Sequence, residues 1–392
     1  MINVTKLVCG GDFAGDALRY GRAAGAAPVV AWNCTEACNL ACLHCYSEAK
    51  GRRADDELAT AEARAMIEDL ASYGVPVLLF SGGEPLLRPD LRALSSFAVS
   101  KGLRTVLSTN GTAIGEGEAA ALKRAGFSYV GISFDGVGEA HDAFRGVKGA
   151  FDRAAAGMRR CRDAGLRTGV RFTLSRRTLP SLEPVIDFAR SSGATRLCVY
   201  HLVPCGRGEG MGEEILHPGE AREAMDLLVR AAREARSLDP SFELLTVDNH
   251  ADGVYLYLRL RAEDPARAEA ARALLLRAGG NRSGVGIACV DAAGNVFPDQ
   301  FSRTLRAGNV RERPFSEIWR GGGELLRQLR DRAGLLEGRC GRCGWKGFCN
   351  GNMRARALAV HGRLWAEDPA CYLAEEELHA RSEERRVGKE CS

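Results

Sequence analysis

Six short apolar runs, separated by amphipathic segments, recur along the first half of the chain and restrict its fold more than any other feature. Each run is bounded by turn signals and has the length of a strand buried in a parallel sheet. The six predicted strands are Pro28–Trp32, Val77–Phe80, Arg104–Ser108, Tyr129–Phe134, Thr168–Leu174 and Arg196–Val203. The strand and helix unit repeats about every 25 to 35 residues, which is the size of a βα repeat.

The segments between these strands have the pattern of amphipathic helices. In Thr60–Tyr73 and in Phe151–Ala164, apolar residues recur at helical spacing and mark one face. Five segments end in glycine, the usual C-terminal signal of a helix, at Gly74, Gly102, Gly126, Gly165 and Gly193. The pattern predicts the α/β class, with a partial (β/α)6 barrel of the TIM type whose chemistry lies at the carboxyl ends of the strands.

The sequence pattern changes at about residue 283, where signals of a β-hairpin replace the alternation of strands and helices. Val285–Val290 and Asn295–Phe297 predict a hairpin, and a helix is expected at Phe315–Arg330. We expect an N-terminal extension at 1–27, the barrel at 28–212, a helical linking region at 213–282, a cysteine-rich domain at 283–373 and a C-terminal part at 374–392. The last part is predicted to contain a helix, Ala374–Arg381, followed by a disordered or foreign tail.

Composition narrows the class of protein. The 392 residues are 45% hydrophobic, enough for two or three domains with cores. The net charge is only +4 and the basic residues are mixed with acidic ones, so nucleic acid is not an expected partner. Residues 1–28 lack the apolar stretch of a secretory leader, and no later run approaches the ~18 apolar residues of a membrane span. We therefore expect a cytoplasmic protein with reduced cysteines and no membrane partner.

Three cysteines, Cys38, Cys42 and Cys45, lie in the loop after the first predicted strand. Iron-sulfur clusters are normally held by four thiolates. A C-x3-C-x2-C loop can hold three irons of a four-iron cluster and leave the fourth iron for a small molecule. Zinc and a disulfide framework are the alternatives, although zinc loops usually combine C-x2-C with a second, similar pair.

Polar residues follow the next three predicted strands. Gly82, Gly83 and Glu84 follow the second strand, where glycine lets the backbone approach a ligand and a carboxylate can accept from an ammonium group. The third and fourth strands end in two further polar groups, Ser108-Thr109-Asn110-Gly111 and Ser133-Phe134-Asp135-Gly136. Ordinary turn chemistry of Asn-Gly and Asp-Gly explains these groups equally well.

The cysteine loop together with the Gly-Gly-Glu-Pro turn resembles the signature of the radical S-adenosylmethionine (SAM) enzymes. The resemblance implies that the amino and carboxylate groups of SAM occupy the open iron, and that one electron cleaves SAM to a 5′-deoxyadenosyl radical. The cofactor-binding residues that it implies are His44, Tyr46, Gly82, Gly83, Glu84, Ser108, Asn110, Ser133, Asp135 and Arg145. A solvated loop histidine at His44 and a surface ion pair at Arg145 remain open.

Four later cysteines form a second motif, C-x2-C-x5-C followed by a single cysteine, at Cys340, Cys343, Cys349 and Cys371. The motif resembles the SPASM extension of radical SAM enzymes and implies an outer auxiliary cluster held by four thiolates. A zinc ribbon also uses four cysteines. The expected cofactors are therefore SAM and two [4Fe-4S] clusters.

A full SPASM pattern has further cysteines where this chain has Met353 and Asp299. A thioether and a single carboxylate are not usual ligands of such a cluster. The departures therefore predict two clusters rather than three. They leave Cys289 as a buried small hydrophobic residue, with contact to the substrate pocket as the alternative. Cys391, in the tail, is not counted as a ligand.

The segments 246–253, 294–301 and 308–319 resemble the tetrapyrrole-modifying branch of the family. That resemblance implies removal of two acetate side chains from 12,18-didecarboxysiroheme to give iron-coproporphyrin III in alternative haem biosynthesis, with an unidentified electron donor. A radical is needed because the acetate-bearing carbon offers no acidic proton to a base. The alternatives are the related haem d1 enzyme, a peptide-modifying SPASM maturase and a non-enzymatic electron-transfer protein.

Candidate substrate residues follow from the chemistry of a macrocycle with several carboxylates. Arg171 and Arg207 lie on or just beyond the fifth and sixth predicted strands, where arginine can bind carboxylate bidentately. His250 is a candidate axial ligand of the tetrapyrrole iron. A histidine satisfied by local hydrogen bonds is the alternative for His250.

Overall fold

The computed structural model describes residues 1–21, 23 and 25–379. Its described strands form one sheet in the order β1-β8-β7-β6-β5-β4-β3-β2-β9-β10-β11. The strands are β1 Ile2–Asn3, β2 Val29–Asn33, β3 Val77–Ser81, β4 Arg104–Thr109, β5 Val130–Ser133, β6 Thr168–Leu174, β7 Arg196–His201, β8 Glu243–Val247, β9 Ile287–Val290, β10 Asn295–Phe297 and β11 Gly308–Asn309.

The central part of the sheet is parallel. Strands β2 to β8 pair in sequence order, and β9 adds in parallel to the free edge of β2. The remaining pairs, β1 with β8, β9 with β10 and β10 with β11, are antiparallel. The carboxyl ends of β2 to β8 therefore meet at one rim, as in a partial barrel.

Helices cover the outside of the parallel strands. They are α1 Val4–Cys9, α2 Asp16–Tyr20, α3 Thr60–Ser72, α4 Leu91–Ser100, α5 Glu118–Arg124, α6 Glu139–Arg145, α7 Ala150–Asp163, α8 Leu182–Ser191, α9 Pro218–Leu238, α10 Ala251–Glu263, α11 Pro265–Ala278, α12 Phe315–Gly321, α13 Gly323–Arg330, α14 Gly338–Arg342, α15 Lys346–Cys349 and α16 Arg354–His361. Short 3-10 turns lie at Pro85–Leu87, Leu179–Ser181, Gly206–Gly208, Gly212–Glu214 and Glu376–His379. No helix among the described residues has both the length and the apolar character that a membrane crossing requires.

Side chains alternate between the two faces of the barrel strands. On β2, Val30 and Trp32 belong to the main core beneath the helices, whereas Ala31 packs with Cys289 on the opposite face. On β7, Cys198 packs with Tyr200 in a separate small cluster. The main core therefore lies between the sheet and the helices. The opposite, inner face of the sheet has the smaller apolar clusters and faces the cavity described below.

The predicted fold class is confirmed, and each of the six predicted strands has a counterpart within one or two residues at each end. Three details of the prediction are wrong. The segment predicted as a helical linking region contains β8, which extends the parallel sheet. The helix predicted at Phe315–Arg330 is interrupted at Gly322, whose φ is 75°.

The third wrong detail concerns the end of the chain. The helix predicted at Ala374–Arg381 is a 3-10 turn, Glu376–His379, as far as the structure describes it. Residues 380–392, where the disordered or foreign tail was predicted, lie outside the described residues. The predicted hairpin at 285–297 is present as β9 and β10, and its first strand also joins the barrel.

Candidate active site and second cysteine cluster

A cavity that is open at its mouth lies at the carboxyl ends of the parallel strands. It brings together most of the residues that the sequence singled out. Those predicted residues that line it are Cys38, Cys42, His44, Cys45, Tyr46, Gly82, Gly83, Ser108, Asn110, Ser133, Arg145, Arg171 and Arg207. Thr173, Tyr200, His201, Leu202, Val203, Gln300 and Phe301 also line it and were not predicted.

The loop after β7 supports the cysteine loop. Arg207 donates from Nε to the carbonyl of Cys42 at 3.0 Å and from Nη1 to the carbonyl of Ala49 at 3.2 Å. Its backbone N–H donates to the carbonyl of Cys45 at 3.0 Å. These bonds occupy much of the guanidinium, so Arg207 fastens the cysteine loop even though it lines the cavity.

The two glycines after β3 allow a close approach to the same loop. The N–H of Gly83 donates to the carbonyl of Thr35 at 2.8 Å, and a Cβ on Gly83 would lie 2.2 Å from the carbonyl oxygen of Ala37. Gly82 has a φ of +131°, and its Cβ would lie 2.6 Å from the oxygen of Thr35. Only glycine fits at both positions. Their close neighbours are backbone atoms of the cysteine loop, and both glycines also line the cavity, where the sequence predicted approach to a ligand.

Glu84 is buried beneath the rim and does not line the cavity. Its carboxylate accepts from the hydroxyl of Thr109 at 2.6 Å and from the backbone N–H groups of Asn110 at 2.7 Å and Leu86 at 3.1 Å. Burial raises the pKa of Glu84 above its usual range, although these bonds lower it. The carboxylate that the sequence predicts as an acceptor for an ammonium group connects the end of β3 to the end of β4 in this structure.

Arg145 joins the end of β5 to the cysteine loop. Its Nη2 lies 2.5 Å from Oδ2 of Asp135, and its Nη1 donates to the sulfur of Cys42 at 3.5 Å. Burial alone would raise the pKa of Asp135, but Arg145 brings that pKa below its usual value. Burial likewise disfavours the charged guanidinium, yet Asp135 and Cys42 raise the pKa of Arg145. A buried positive charge therefore lies beside one of the cysteine sulfurs.

Asp135 is a second predicted residue that lies beneath the cavity rather than in its lining. Its Oδ1 accepts from the backbone N–H of Thr173 at 2.7 Å, and its own N–H donates to Nδ1 of His141 at 3.1 Å. Both carboxylate oxygens thus have positive or N–H neighbours within the protein. Asp135 orients Arg145 rather than contacting the open space.

His44 and Tyr46 flank Cys45 in the sequence, and the side chains of both make contacts within the protein. His44 stacks on Phe144 with ring centroids 4.7 Å apart, and its Nε2 lies 3.2 Å from the hydroxyl of Thr173. Burial lowers the pKa of His44 to about 4, which keeps the ring neutral near pH 7. The hydroxyl of Tyr46 donates to Oδ1 of Asn33 at 3.0 Å. His44 is therefore a packed aromatic ring and not a solvated loop histidine.

Arg171 projects from β6 into the cavity. Its guanidinium carbon lies 4.5 Å from the centroid of the Tyr200 ring. Within the described chain it has no carboxylate partner and no side-chain hydrogen bond. A cation that stacks on an aromatic face and has free N–H groups is suited to bind an anion.

His250 is not in this cavity. It is 6% exposed, and its Nε2 lies 3.2 Å from the amino group of Met1. Its backbone N–H donates to Oδ1 of Asn352 at 2.7 Å. The histidine that lines the cavity from a strand end is His201, which the sequence interpretation missed. Its position as the last residue of β7 was the available signal, because strand ends form the rim.

A second cavity is lined by Cys340, Cys343, Cys349 and Cys371. Burial raises the pKa of Cys349 well above its usual value, and the three other cysteines raise it further. Four thiols that disfavour each other's ionisation need a cation to become thiolates together. The second motif is thus assembled in space as one donor set.

The residues that replace further SPASM cysteines have structural partners. Asp299 accepts from the N–H groups of Phe301 at 2.8 Å and Ser302 at 2.9 Å, and the sulfur of Met353 accepts from Asn281 at 3.4 Å. Cys289 is 1% exposed and packs with Ala31 and Phe297. It is the buried small residue that the sequence predicted.

Both donor sets consist of thiols, the usual protein ligands of iron-sulfur clusters. Four-coordinate zinc requires its ligands around one ion, with Zn–S near 2.3 Å. Among the described residues, no three or more Cys, His, Asp or Glu side chains are grouped to hold one ion. The described cysteines are all free thiols. In a four-iron cluster each thiolate binds a different iron, so three or four thiols around one cavity suit such a cluster.

The fold and the two thiol sets define a class of enzyme. The Radical SAM superfamily model matches residues 32–189, and the SPASM model, described as an iron-sulfur cluster-binding domain, matches residues 283–344. The chain belongs to the radical SAM superfamily and carries a SPASM domain. Its cofactors are accordingly SAM with a [4Fe-4S] cluster in the barrel and an additional cluster in the SPASM domain.

Two relatives of known name are similar to this chain over most of its length. The chain is 47% identical over 394 residues to the Fe-coproporphyrin III synthase of Methanosarcina barkeri (strain Fusaro / DSM 804), with 96% of this chain and 99% of the relative covered. It is 44% identical over 349 residues to the pre-heme d1 synthase of Dinoroseobacter shibae (strain DSM 16493 / NCIMB 14021 / DFL 12), with 88% and 86% covered.

Among solved structures, the chain resembles Streptococcus suis SuiB bound to S-adenosylmethionine. The TM-score is 0.68 at 15% identity, and the match covers 89% of this chain and 78% of that chain. The likeness concerns the fold alone.

Proposed function

We propose that the protein removes the two acetate side chains of 12,18-didecarboxysiroheme and so forms iron-coproporphyrin III. The observation that carries the proposal is the likeness to Fe-coproporphyrin III synthase, which extends over 96% of the chain and includes both cysteine sets. A non-enzymatic electron-transfer protein would have no use for three thiols facing an open cavity. The geometry suits an enzyme that binds a cluster and a bulky substrate side by side.

Cys38, Cys42 and Cys45 would hold the catalytic cluster, and the rim would hold SAM. When bound, these two groups supply one-electron, hydrogen-abstracting chemistry. Ser108 and Ser133 line the cavity and have no side-chain hydrogen bond within the described chain, so their hydroxyls are free for the cofactor. Asn110 already donates to Asn39 at 2.8 Å. Arg145 would stabilise the thiolate of Cys42 through its charge.

Arg171 would bind one carboxylate of the tetrapyrrole. Its free guanidinium lies in the same cavity as the cysteine loop, and Tyr200 fixes its plane from one side. Leu202, Val203 and Phe301 give the cavity an apolar wall on which a macrocycle can lie. Holding the substrate between this wall and the cofactor keeps the reacting side chain in place and water away.

The setting of the proposed enzyme is the cytoplasm. Free cysteines throughout the described chain support a reducing compartment, because clusters and thiols persist there. An electron donor, not identified by any feature of the chain, would supply the reductant.

A second candidate reaction is the haem d1 branch, which acts on the same precursor. It is favoured by the 44% identity to pre-heme d1 synthase over 88% of the chain. The mass of the tetrapyrrole product separates acetate loss from the haem d1 chemistry.

Anaerobic reconstitution followed by turnover tests the proposal. The reconstituted protein is incubated with SAM, dithionite and 12,18-didecarboxysiroheme, and 5′-deoxyadenosine and tetrapyrrole products are measured by mass spectrometry. We expect the mass of iron-coproporphyrin III, preceded by an intermediate that has lost one acetate. A variant with Cys42→Ala and Cys45→Ala is the control and should form neither product. Formation of the haem d1 precursor instead, or no tetrapyrrole change despite SAM cleavage, would contradict the proposal.

A further inference from the structure

Arg171 and Tyr200 lie on the inner face of two neighbouring strands, β6 and β7. Arg171 pairs in register with Ser133 at the end of β5. Tyr200 pairs in register with Thr173 of β6. Side chains alternate between the faces of a strand, and all four of these residues line the active-site cavity. Since Arg171 precedes Thr173 by two residues on one strand, its backbone lies about 7 Å deeper in the barrel.

Two glycines on the same inner face make room for the arginine. Gly131 precedes Ser133 by two residues on β5, and a Cβ at Gly131 would lie 2.9 Å from Cδ of Arg171. A Cβ at Gly169 would lie 2.0 Å from the hydroxyl of Tyr129, which is buried without a hydrogen-bond partner in the described chain. Tyr129 therefore closes the barrel, and the side chain of Arg171 lies across the bottom of the cavity.

The guanidinium of Arg171 and the hydroxyl of Tyr200 are hydrogen-bond donors without acceptors. Within the described residues neither group has a hydrogen bond or a carboxylate partner, and the guanidinium carbon lies 4.5 Å from the centroid of the tyrosine ring. Neither is among the buried polar atoms that lack a partner, so both groups reach the open space of the cavity. A carboxylate that contacts both would supply the missing charge and the missing acceptors.

The depth of Arg171 determines which carboxylate of a tetrapyrrole can reach it. The interior of a small barrel is only wide enough for side chains. The macrocycle must therefore stay at the mouth, and only one of its side arms can extend between the strands. The three cysteines of the first motif and the serines at the ends of β4 and β5 line the same cavity. An arm that reaches Arg171 thus lies beside the place of the cofactor, where hydrogen abstraction occurs.

We propose that Arg171 and Tyr200 bind the carboxylate of the acetate arm that is removed, and not a carboxylate that the product keeps. The inference rests on the proposed function, which supplies a macrocycle with two such arms. Each acetate would occupy this site in its own reaction cycle, so the macrocycle must turn between the two cycles. The pair then favours the substrate, which has the arm, over iron-coproporphyrin III, which lacks it.

Binding of substrate and product to the same variants tests this assignment. Reconstituted protein without SAM or reductant is titrated anaerobically with 12,18-didecarboxysiroheme and with iron-coproporphyrin III, and the absorption spectrum of the bound macrocycle is followed. We expect Arg171→Gln to weaken binding of the substrate by about thirtyfold, and Tyr200→Phe, which keeps the ring, by about tenfold. Both variants should bind iron-coproporphyrin III as tightly as the native protein does, because this macrocycle has no arm for the site.

Two further variants complete the comparison. Arg167→Gln is the matched control, since Arg167 is exposed just before β6, at the end of the strand that is opposite the cavity, and it should leave both affinities unchanged. Arg171→Lys keeps the charge without the planar fork of donors, so it should recover only part of the affinity for the substrate. If Arg171→Gln does not retain the native iron content, Arg171→Lys and Tyr200→Phe serve in its place.

Two results would overturn the inference while the proposed function stands. One is an equal loss of affinity for the two macrocycles in Arg171→Gln, which would assign a carboxylate of the product to the site. The other is binding of the substrate that neither Arg171→Gln nor Tyr200→Phe weakens. If the native protein bound neither macrocycle, the proposed function would fail, and the inference with it.

Discussion

Asp135 and Arg145 form an ion pair whose energetics depend on both partners being present. The side chain of Asp135 is 0% exposed and that of Arg145 is 9% exposed. Removal of one partner of a buried pair leaves an uncompensated charge, whereas removal of both leaves none. The pair also connects β5 to Cys42, so its loss should affect the cluster as well as the fold.

At this residue scale we predict that Arg145→Gln lowers the free energy of unfolding by about 3–5 kcal/mol. The double variant with Asp135→Asn should recover part of that loss, because no unpaired carboxylate remains. Anaerobic urea unfolding of the reconstituted proteins provides the measurement. Arg363→Gln is the control, since the Arg363–Glu337 pair is exposed and is worth about 0–1 kcal/mol. A double variant no more stable than Arg145→Gln would contradict the argument.

At the scale of elements, the turn after β3 fixes the cysteine loop through backbone contacts. We predict that Gly83→Ala displaces this loop, because its Cβ would lie 2.2 Å from the carbonyl oxygen of Ala37. Iron content should fall from about eight to about four atoms per chain, since only the second cysteine set remains competent. Gly115→Ala is the matched control because no atom lies within 4 Å of its Cβ position. Retention of all the iron by Gly83→Ala would show that the turn can adjust.

The strands that the sequence predicted are those whose signal is local. Thr168–Leu174, for example, is a short apolar run between turn residues, and its bounds agree with β6. Glu243–Val247 is equally buried but follows a 21-residue helix, so the βα period of the earlier units did not point to it. The parallel pairing of β9 with β2 joins residues more than 250 positions apart. Such a pairing is specified by tertiary packing and not by local pattern.

The residues of the site also divide into features that the sequence could predict and features that it could not. The polar residues at the ends of β3 to β5 could be assigned to one rim because parallel strands end together. Their individual roles could not, since these depend on rotamers: Glu84 turns under the rim to Thr109, while Ser108 remains in the cavity. The sequence predicted a substrate contact for His250 and made no prediction for His201. A motif places His250 in the sequence, but the strand end places His201 in the cavity.

At the scale of the whole molecule, the described strands form one sheet. The two cysteine sets nevertheless line separate cavities that have no lining residue in common. Arg356 connects the two regions. It is fully buried, pairs with Asp368 of the second cavity at 2.7 Å and donates to the carbonyls of Leu202 at 3.1 Å and Asp248 at 2.8 Å. Arg356 thus connects the surroundings of the second cysteine set to the chain after β7, although the two cysteine sets line separate cavities.

This separation predicts that the two clusters can be removed independently. Cys340→Ala with Cys343→Ala should lose about four of about eight irons and still form 5′-deoxyadenosine with dithionite, because its first cavity is intact. Cys42→Ala with Cys45→Ala should also lose about four irons but form no 5′-deoxyadenosine. Iron and sulfide analysis, together with chromatography of the nucleoside, checks both expectations. If the first variant lost all its iron, the two sites would depend on each other for assembly, and the support that Arg356 provides would require an occupied second site.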